Sequence, residues 1–335
     1  MNCFNMSANN DKKTVLITGA SGFIGKSLCR AFSLSHRVIA LSRHSILGAP
    51  DNYISERADI EDDDAISHIC SRYQPDVVIH CAGLSHQKNL CTKKRAYLYE
   101  RINSLATKKI ACSALSFNPD LYFIFLSSIS VYGENQNRNV VSEDEHCLPT
   151  SHYAESKLSA ENRLIKLYND KRLKRLDILR LAPVYDNMWS FNLEKRVFFP
   201  QKIFYLRFGS GEQRMSALAR KNLVEFIGFR LDHLMAGPFC SIMNVCDEQP
   251  YSFNDIIEIF RESKYQPRRI VIKIPLYAVG LLIGCVELLL DNHSVWIHSF
   301  YNKLAKNLIF DNKRMFDTGF KPRFNLKAIF NNGVS

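Results

Sequence analysis

Three glycines at a spacing of three residues constrain the fold of this chain most strongly: Gly19, Gly22 and Gly25. The apolar run 13–20, which meets the first of them, predicts a buried parallel strand. Apolar residues then recur at every fourth position through 24–32, which predicts the inner face of a helix. Glycine permits the tight turn between these elements and lets backbone N–H groups reach a pyrophosphate at the positive end of the helix. The glycines therefore predict a dinucleotide site at the first strand-to-helix turn.

Strand and helix patterns continue to alternate after this turn. Further strands are predicted at 37–42, 52–60, 75–80 and 121–126, with an acidic helix start at 61–64 and a long helix at about 93–116. This alternation predicts an α/β fold, a doubly wound parallel sheet of the Rossmann type. Ligands of such sheets bind beyond the carboxyl ends of the strands. Four residues fall at such ends: Gly19, Asp59, Cys81 and Ser128.

The chain is long enough for one large domain or two, with 335 residues of which 46% are apolar. The polar segment 1–12 lacks the apolar core of a secretory signal, and we expect it to be a flexible tail. Ten cysteines are scattered without a C-x-x-C pair or a zinc-ligand spacing. We therefore expect no metal site, reduced cysteines and a cytoplasmic protein.

The net charge of +11 favours anionic ligands. The basic residues form short clusters without a helix-turn-helix, zinc-finger or RNP pattern, so we expect no nucleic-acid site, whereas phosphorylated small molecules suit this charge.

One apolar run, 274–290, contains a single charged residue, Glu287. The run is at the short limit for crossing a bilayer, and Pro275, Gly280 and Gly284 weaken a span further. We expect a buried or membrane-surface helix there and no membrane span, which leaves peripheral association through 274–290 open.

Tyr153 and Lys157 stand four residues apart, so that in a helix their side chains share one face. A tyrosine phenol titrates at about 10 and is a poor acid or base at neutral pH. A lysine ammonium one turn away favours the phenolate and lowers that pKa, so that the phenol can move a proton. A surface pair without chemistry has the same spacing, and only the surrounding motifs distinguish the two.

Five segments occur in an order and at a spacing that resemble one family: TGASGFIG at 18–25, ADI at 58–60, HCAG at 80–83, SSISVYG at 127–133 and YAESK at 153–157. Together they resemble the extended short-chain dehydrogenase/reductase family, which includes nucleotide-sugar epimerases, dehydratases and 4-ketoreductases. RLAPVYD at 180–186 resembles the family's R-P-x-x-V-Y-G segment, where the chain passes to the substrate domain. The resemblance implies an NAD(P)-binding Rossmann domain at 13–185, to which part of 216–246 returns. It also implies a smaller, discontinuous C-terminal substrate domain of 186–215 and 247–335.

The resemblance assigns cofactor contacts to the matching residues. The three glycines hold the pyrophosphate, with backbone N–H groups from Phe23 and Ile24, and the adenine meets Asp59 and Ile60. Small residues after the fourth strand would let the cofactor lie against the backbone: Cys81, Ala82 and Gly83.

The end of the second strand bears on the choice of dinucleotide. An acid there hydrogen-bonds the ribose of NAD, whereas an arginine accommodates the 2′-phosphate of NADP. This chain has Ser42 and Arg43 at that place. The missing carboxylate favours NADP(H) over NAD.

The resemblance also assigns the chemistry. It implies that Ser128 hydrogen-bonds the reacting oxygen, that Tyr153 is the acid/base, and that Lys157 binds the nicotinamide ribose and lowers the pKa of the tyrosine. Asn192 matches an asparagine that the family places against the sugar diphosphate. These roles agree with the chemistry expected from the spacing of Tyr153 and Lys157.

The second half of the chain departs from the family pattern. Met215 replaces the arginine that grips the substrate diphosphate, and Arg214 stands beside it. Ala219 replaces an aromatic or histidine, 220–222 replaces a Val-Asp segment, and Asp186 replaces a glycine. Either Arg214 takes over the phosphate contact, or the substrate is bound differently.

Three reactions share this scaffold. Dehydratases of the family carry an Asp-Glu pair after the catalytic serine or threonine, but this chain has Ile129 and Ser130, neither of which can shuttle a proton as a carboxyl does. We therefore expect an enzyme acting at C4 of a UDP-linked hexose, with a lean towards a 4-ketoreductase. The alternatives are a UDP-glucose or UDP-N-acetylglucosamine 4-epimerase and a non-catalytic, cofactor-binding regulatory subunit. The resemblance further suggests surface-polysaccharide synthesis and a homodimer that pairs 93–116 and 153–169 across a two-fold axis.

Overall fold

The computed structural model describes residues 12–44, 53–85, 92–133, 139–198, 202–280 and 306–331. The chain forms two compact units that alternate along the sequence. The first unit comprises the described residues of Met1–Phe125, Asn162–Leu176 and Gly237–Cys240, and the second those of Leu126–Glu161, Asp177–Ala236 and Ser241–Ser335. The division into a cofactor domain at 13–185 and a discontinuous substrate domain stays a prediction.

The strands are, in chain order, β1 (Thr14–Thr18), β2 (Arg37–Ser42), β3 (Ile54–Arg57), β4 (Val77–His80), β5 (Tyr122–Ser128), β6 (Arg175–Leu181), β7 (Val184–Tyr185), β8 (Tyr205–Phe208), β9 (Arg214–Met215), β10 (Leu218–Ala219), β11 (Phe239–Val245), β12 (Tyr251–Ser252) and β13 (Val271–Ile274). The helices are α1 (Gly25–Phe32), α2 (Asp63–Tyr73), α3 (Thr92–Tyr99), α4 (Ala106–Phe117), α5 (His152–Asn169), α6 (Phe191–Val197), α7 (Arg220–Asp232), α8 (Phe253–Glu262), α9 (Lys313–Asp317) and α10 (Leu326–Asn331).

Seven strands form one sheet in the order β11-β6-β5-β4-β1-β2-β3. The pairs β1–β2, β1–β4, β2–β3 and β4–β5 are parallel. β1 and β4 are buried along their whole length, as parallel strands covered on both faces are. The predicted α/β fold with a doubly wound parallel sheet is confirmed.

Two elements of the first unit differ in detail from the prediction. The helix expected at 93–116 consists of α3, a π-helical segment at Glu100–Leu105 and α4. β3 is shorter than the predicted strand at 52–60, because the amide of Asp62 donates to the carbonyl of Asp59 and turns the chain towards α2. The acidic helix start is confirmed, since the Asp62 carboxylate accepts from the amide of Ala65 at 3.0 Å and caps α2.

The second unit contains short paired strands and its own apolar core. β7 pairs with β10, β9 with β12 and β8 with β13. The core packs α6 and α8 against these strands and against α10. A capping box starts α8, in which Ser252 and Asp255 each accept from the other's amide.

The apolar run 274–290 is described only in part. Residues 276–280 are helical, and 281–290 lie outside the described residues. Among the described residues, none of the helices combines the length and the apolar character that a bilayer crossing requires.

Candidate active site

Gly19 follows β1 in a conformation that favours glycine. Its φ is +68°, and a Cβ placed there would lie 2.8 Å from the amide nitrogen of Ala82 and 3.0 Å from the carbonyl carbon of Cys81. The residue after β1 and the segment after β4 therefore approach each other backbone to backbone. A side chain at position 19 would strain the turn and force the two segments apart.

The turn from Gly19 into α1 is built from the backbone alone. The amide of Gly22 donates to the carbonyl of Gly19 at 2.9 Å, and the amide of Lys26 donates to the carbonyl of Gly22 at 3.0 Å. A Cβ on Gly25 would overlap the carbonyl oxygen of Gly19. No side chain caps the start of α1 at Ile24. An uncapped helix start next to a turn in which three residues lack a Cβ atom fits the pyrophosphate of a dinucleotide.

The hydrogen bonds of a buried histidine stabilise this turn. His80 is fully buried, its Nδ1 lies 2.7 Å from Thr18 Oγ1, and its Nε2 lies 2.9 Å from Thr107 Oγ1. The Thr107 hydroxyl donates to the carbonyl of Asn103 at 2.7 Å, so it accepts from His80 Nε2–H, and Nδ1 accepts from Thr18. Thr18 Oγ1 in turn accepts from the amide of Ala82 at 3.2 Å. Hydroxyl groups at positions 18 and 107 thus fix the segment after β4.

Asn103 holds the next part of that segment. Its Oδ1 accepts from the amide of Leu84 at 2.7 Å, and its Nδ2 donates to the carbonyl of Leu84 at 3.0 Å. Asn103 lies in the π-helical segment and is fully buried. Sequence reasoning did not assign a role to Thr18, Asn103 or Thr107, because a single polar residue in an apolar pattern does not reveal its partner.

The other predicted cofactor contacts differ in exposure. Phe23 and Ile24 are half-buried in the turn before α1, as are Cys81 and Ala82, whereas Gly83 is exposed. Asp59 is exposed, and its carboxylate accepts from the amide of Glu61 at 3.1 Å, whereas Ile60 is buried.

Two arginines meet at the ends of β2 and β3. Ser42 is buried and donates to the carbonyl of His44 at 2.6 Å, which leaves Arg43 exposed beside it. Arg57 lies opposite Ser42 in the β2–β3 register, and its Nε donates to the carbonyl of Arg43 at 3.2 Å. Sequence reasoning missed Arg57, because the predicted strand at 52–60 ran past it, whereas β3 ends at Arg57.

In the second unit, Ser128 is the last residue of β5, and its hydroxyl accepts two hydrogen bonds. The amide of Ser130 donates to it at 3.2 Å, and the hydroxyl of Ser130 donates at 2.9 Å. The proton of the Ser128 hydroxyl is therefore available for a third bond, as a donor. The chain then forms a 3-10 turn at Ile129–Tyr132 and leaves it at Gly133, where φ is +81° and a Cβ would overlap the carbonyl oxygen of Leu148.

Tyr153 and Lys157 lie in the first turns of α5. Tyr153 is half-buried, and only 6% of Lys157 is exposed. Lys157 Nζ donates to the carbonyl of Leu126 at 2.8 Å. Leu126 precedes Ser128 by two residues on β5, so this bond joins the helix that carries Tyr153 to the strand end that carries Ser128.

A buried ion pair fixes the same helix one turn further on. Arg180 donates to the carboxylate of Glu161 with Nη2 at 2.7 Å, and its Nη1 donates to the hydroxyl of Tyr132 at 2.9 Å. Glu161 also accepts from the hydroxyl of Ser127, next to Ser128. Glu161 and Arg180 are 0% and 5% exposed, so their charges compensate each other away from water.

The residues predicted to grip the substrate lie on short elements. Asn192 is exposed on α6, and Arg214 is exposed on β9. Met215, at the position of the family's arginine, is 2% exposed and packs in the core of the second unit. An arginine side chain at 215 would have to leave that core, so the substitution changes the packing as well as the charge.

Two departures from the family pattern form a pair. Asp186 stands where the family has glycine, and its carboxylate accepts from the amides of Met188 at 2.8 Å and Trp189 at 2.6 Å. Arg220, at the position of a valine, forms an ion pair with Asp186 at 2.5 Å. Each substitution supplies the partner of the other.

Comparisons with known proteins agree with this geometry. The family model described as NAD dependent epimerase/dehydratase family matches residues 15–246. The chain is 30% identical over 226 residues to UDP-glucose 4-epimerase of Vibrio cholerae, which covers 66% of this chain and 67% of that protein. It is 26% identical over 284 residues to N-acetyl-alpha-D-glucosaminyl-diphospho-ditrans,octacis-undecaprenol 4-epimerase of Escherichia coli O157:H7, which covers 82% and 79%.

Solved structures share the fold at lower identity. The UDP-Glc/GlcNAc 4-epimerase from Campylobacter jejuni superposes with a TM-score of 0.73 at 19% identity, over 95% of this chain and 96% of that chain. The UDP-glucuronic acid 4-epimerase from Bacillus cereus, in complex with NAD, gives 0.70 at 20% identity, over 94% and 95%. With the glycine turn, the Ser-Tyr-Lys residues and the match over most of its length, this chain belongs to the NAD-dependent epimerase/dehydratase family.

Proposed function

We propose that the protein is an NAD(P)-dependent enzyme that oxidises and reduces C4 of a UDP-linked hexose, as a 4-epimerase. The observation that carries the proposal is the bond between Lys157 and the carbonyl of Leu126, because it joins the Tyr153 helix to the strand end where Ser128 has a proton to donate. A carbinol that is to be oxidised needs a base for its O–H and a donor that holds its oxygen, and these residues supply both.

Each residue has a distinct task in this mechanism. A bound nicotinamide ring supplies a hydride acceptor and donor. Gly19, Gly22 and Gly25 hold the pyrophosphate against their backbone. Tyr153 takes the proton from O4 as C4 is oxidised to a ketone, and returns it to O4 when C4 is reduced from the other face. Ser128 donates to O4 throughout, and Lys157 stabilises the phenolate of Tyr153 and binds the ribose.

The 4-epimerase is supported by the two relatives described above, which are named as 4-epimerases. A dehydratase is disfavoured by Ile129 and Ser130, since neither carries a carboxyl and the hydroxyl of Ser130 is engaged with Ser128. A 4-ketoreductase remains the second candidate, because Arg43 and Arg57 at the strand ends suit the 2′-phosphate of NADP(H), which a reductase consumes.

Substrate contacts follow from the exposed polar residues. Asn192 and Arg214 would meet the sugar diphosphate, with Arg214 in place of the arginine that Met215 replaces. Arg214 reaches solvent from β9, so its guanidinium is available for two parallel bonds to a phosphate. We further propose that the protein works in the cytoplasm as a homodimer, and light scattering on the purified protein should give the mass of two chains.

One experiment separates the candidate reactions. The purified protein is incubated with UDP-N-acetylglucosamine or UDP-glucose without added cofactor, and the configuration at C4 is followed by proton NMR. An epimerase converts the substrate to the 4-epimer with no net consumption of cofactor. A ketoreductase leaves these substrates unchanged but oxidises NADPH in step with reduction of a 4-keto sugar nucleotide. If none of the three substrates reacts although mass spectrometry detects bound dinucleotide, the alternative of a cofactor-binding regulatory subunit would be favoured.

A further inference from the structure

Isoleucines line one face of β13 in the second unit. Val271 packs towards the core of that unit, so the alternation of a strand places Ile270 and Ile272 on the opposite face. Ile270 is 76% exposed and Ile272 is 39% exposed. Ile274 continues the same face but is half-buried against Phe208. The isoleucines are thus covered at one end of the strand and uncovered at the other.

Basic side chains surround the uncovered end. Arg268 and Arg269 are exposed beside Ile270, and neither forms an ion pair with a described residue, whereas Lys273 is exposed on the opposite face by the same alternation. The sequence 263–280 contains no aspartate or glutamate. Tyr277, in the helix that follows β13, is 73% exposed. We call the exposed side chains of Arg268, Arg269, Ile270 and Ile272 the basic-apolar face.

A groove of about 810 Å³ opens beside this face. Three arginines line it together with two isoleucines at its edge: Arg261, Arg268, Arg269, Ile203 and Ile270. Two carboxylates also line the groove, Glu258 and Glu262, so the guanidinium groups outnumber the acids. A ligand with a phosphate and an adjoining alkyl chain matches this arrangement, because the phosphate pairs with arginine and the alkyl chain with isoleucine.

We propose that the basic-apolar face docks on the surface of a bilayer that contains anionic phospholipid. Cations near such a surface are attracted to it, isoleucines gain by entering the acyl boundary, and an exposed tyrosine is favoured at the level of the head groups. Nucleic acid would use the cations but not the isoleucines.

The test is flotation of the full-length protein with vesicles. Vesicles of phosphatidylcholine with 30% phosphatidylglycerol, about a typical anionic fraction, should carry the protein to the top of a density gradient, and pure phosphatidylcholine should carry far less. Binding should decrease as salt is raised, since the Debye length shortens. No flotation with either vesicle would overturn the proposal.

Variants separate the parts of the face. Arg268→Gln with Arg269→Gln should weaken binding to the anionic vesicles about 25-fold, at about fivefold for each charge. Ile270→Ser should weaken it at every salt concentration, because that contribution is apolar. Lys171→Gln with Arg172→Gln, two exposed basic residues after α5, removes the same charge elsewhere and should leave binding unchanged.

Two results would contradict the proposal even if the protein floats. Equal loss of binding in the Lys171 and Arg172 control would mean that net charge alone is responsible. A fall in the oligomeric mass of Ile270→Ser, measured by light scattering, would mean that the face joins two copies of this chain. The substituted side chains are exposed, so the melting temperature of each variant should match that of the wild type and serves as the folding control. Because flotation is measured without substrate, its outcome is independent of the proposed 4-epimerase activity.

Discussion

The ammonium group of Lys157 lies where little water reaches it. With 6% of the residue exposed, its ammonium depends on acceptors such as the carbonyl of Leu126, 2.8 Å away. That bond also fixes the direction of the lysine on the face of α5 that carries Tyr153. At the residue scale, Lys157 therefore has a structural role and a proposed catalytic role, and its replacement should lower both stability and turnover.

Replacing Tyr153 with phenylalanine should remove the proton carrier and keep the ring. Turnover should fall by about 10²–10⁴-fold with little change in cofactor affinity, since a general acid–base group is worth about that much. Tyr168→Phe, which deletes a hydroxyl from a half-buried tyrosine on the same helix, is the matched control and should keep wild-type turnover. Steady-state kinetics with the substrate identified by NMR measure the effect. Wild-type turnover in Tyr153→Phe would refute the catalytic assignment.

Lys157→Met should behave differently from Tyr153→Phe. It leaves the carbonyl of Leu126 without this donor and removes the proposed ribose contact, so turnover, cofactor affinity and melting temperature should all decrease. Calorimetric titration with the dinucleotide and a thermal melt measure the last two. Unchanged cofactor affinity in this variant would leave the lysine with a role in proton transfer only.

Arg43→Ala tests the proposed preference for NADP(H). If the exposed guanidinium meets a 2′-phosphate, the variant should bind NADPH about tenfold or more weakly and NADH almost as before, because charge-assisted bonds to phosphate are strong. Arg57→Ala should act in the same direction. Arg30→Ala, an exposed arginine on α1, is the control. A wild-type protein that prefers NADH, or an equal loss for both dinucleotides, would contradict the preference.

At the scale of elements, the glycine turn before α1 should be sensitive to substitution. A Cβ on Gly25 overlaps the carbonyl of Gly19, whereas a Cβ on Gly22 comes to 3.1 Å from the same oxygen. Gly25→Ala should therefore lower the free energy of unfolding by about 1–3 kcal/mol and abolish measurable dinucleotide binding, with a milder effect for Gly22→Ala. Gly280→Ala meets open space and is the control. Denaturant unfolding and fluorescence titration with NADH measure both effects, and the reverse ranking would contradict the geometry.

The sequence predicted the elements of the first unit because each buried strand is an unbroken apolar run. It did not predict the π-helical segment that presents Asn103, since one extra residue in a helical turn leaves the apolar spacing almost unchanged. It located Met215 and Asp186 as departures from a family pattern but could not show that Met215 is core or that Asp186 pairs with Arg220. Those facts depend on contacts between residues far apart in the chain.

At the scale of the whole molecule, one buried carboxylate ties distant parts of the second unit together. Asp247 accepts from the amide of Ala219 at 2.8 Å, from Asn222 Nδ2 at 2.7 Å, and from the hydroxyls of Tyr185 and Tyr251 at 2.7 and 2.8 Å. Asn222 also donates to the carbonyl of Phe324, near the C-terminal end of the described chain. Loss of this carboxylate should therefore affect the cooperative unfolding of the unit and not one loop.

The charge state of Asp247 should make stability depend on pH. Burial raises the pKa of its carboxyl to about 6 from 3.8, although the bonds from Ala219, Tyr185, Asn222 and Tyr251 lower it in part. The folded protein therefore binds this proton more tightly than the unfolded chain does. The stabilisation from Asp247 is fully present below about pH 4 and is lost as the pH rises through about 6.

Denaturant unfolding of the wild type and of Asp247→Asn between pH 4 and 7 tests the direction of this pH dependence. Asparagine does not titrate, so the wild type should lose about 2 kcal/mol of unfolding free energy relative to the variant across this range, which is most of the effect that the pKa shift of Asp247 supplies. Asp232→Asn, an exposed aspartate on α7, should leave the pH dependence of the wild type unchanged. A wild type that gains stability relative to Asp247→Asn as the pH rises would mean that the four donors outweigh burial, and that Asp247 is ionised in the folded protein well below pH 6.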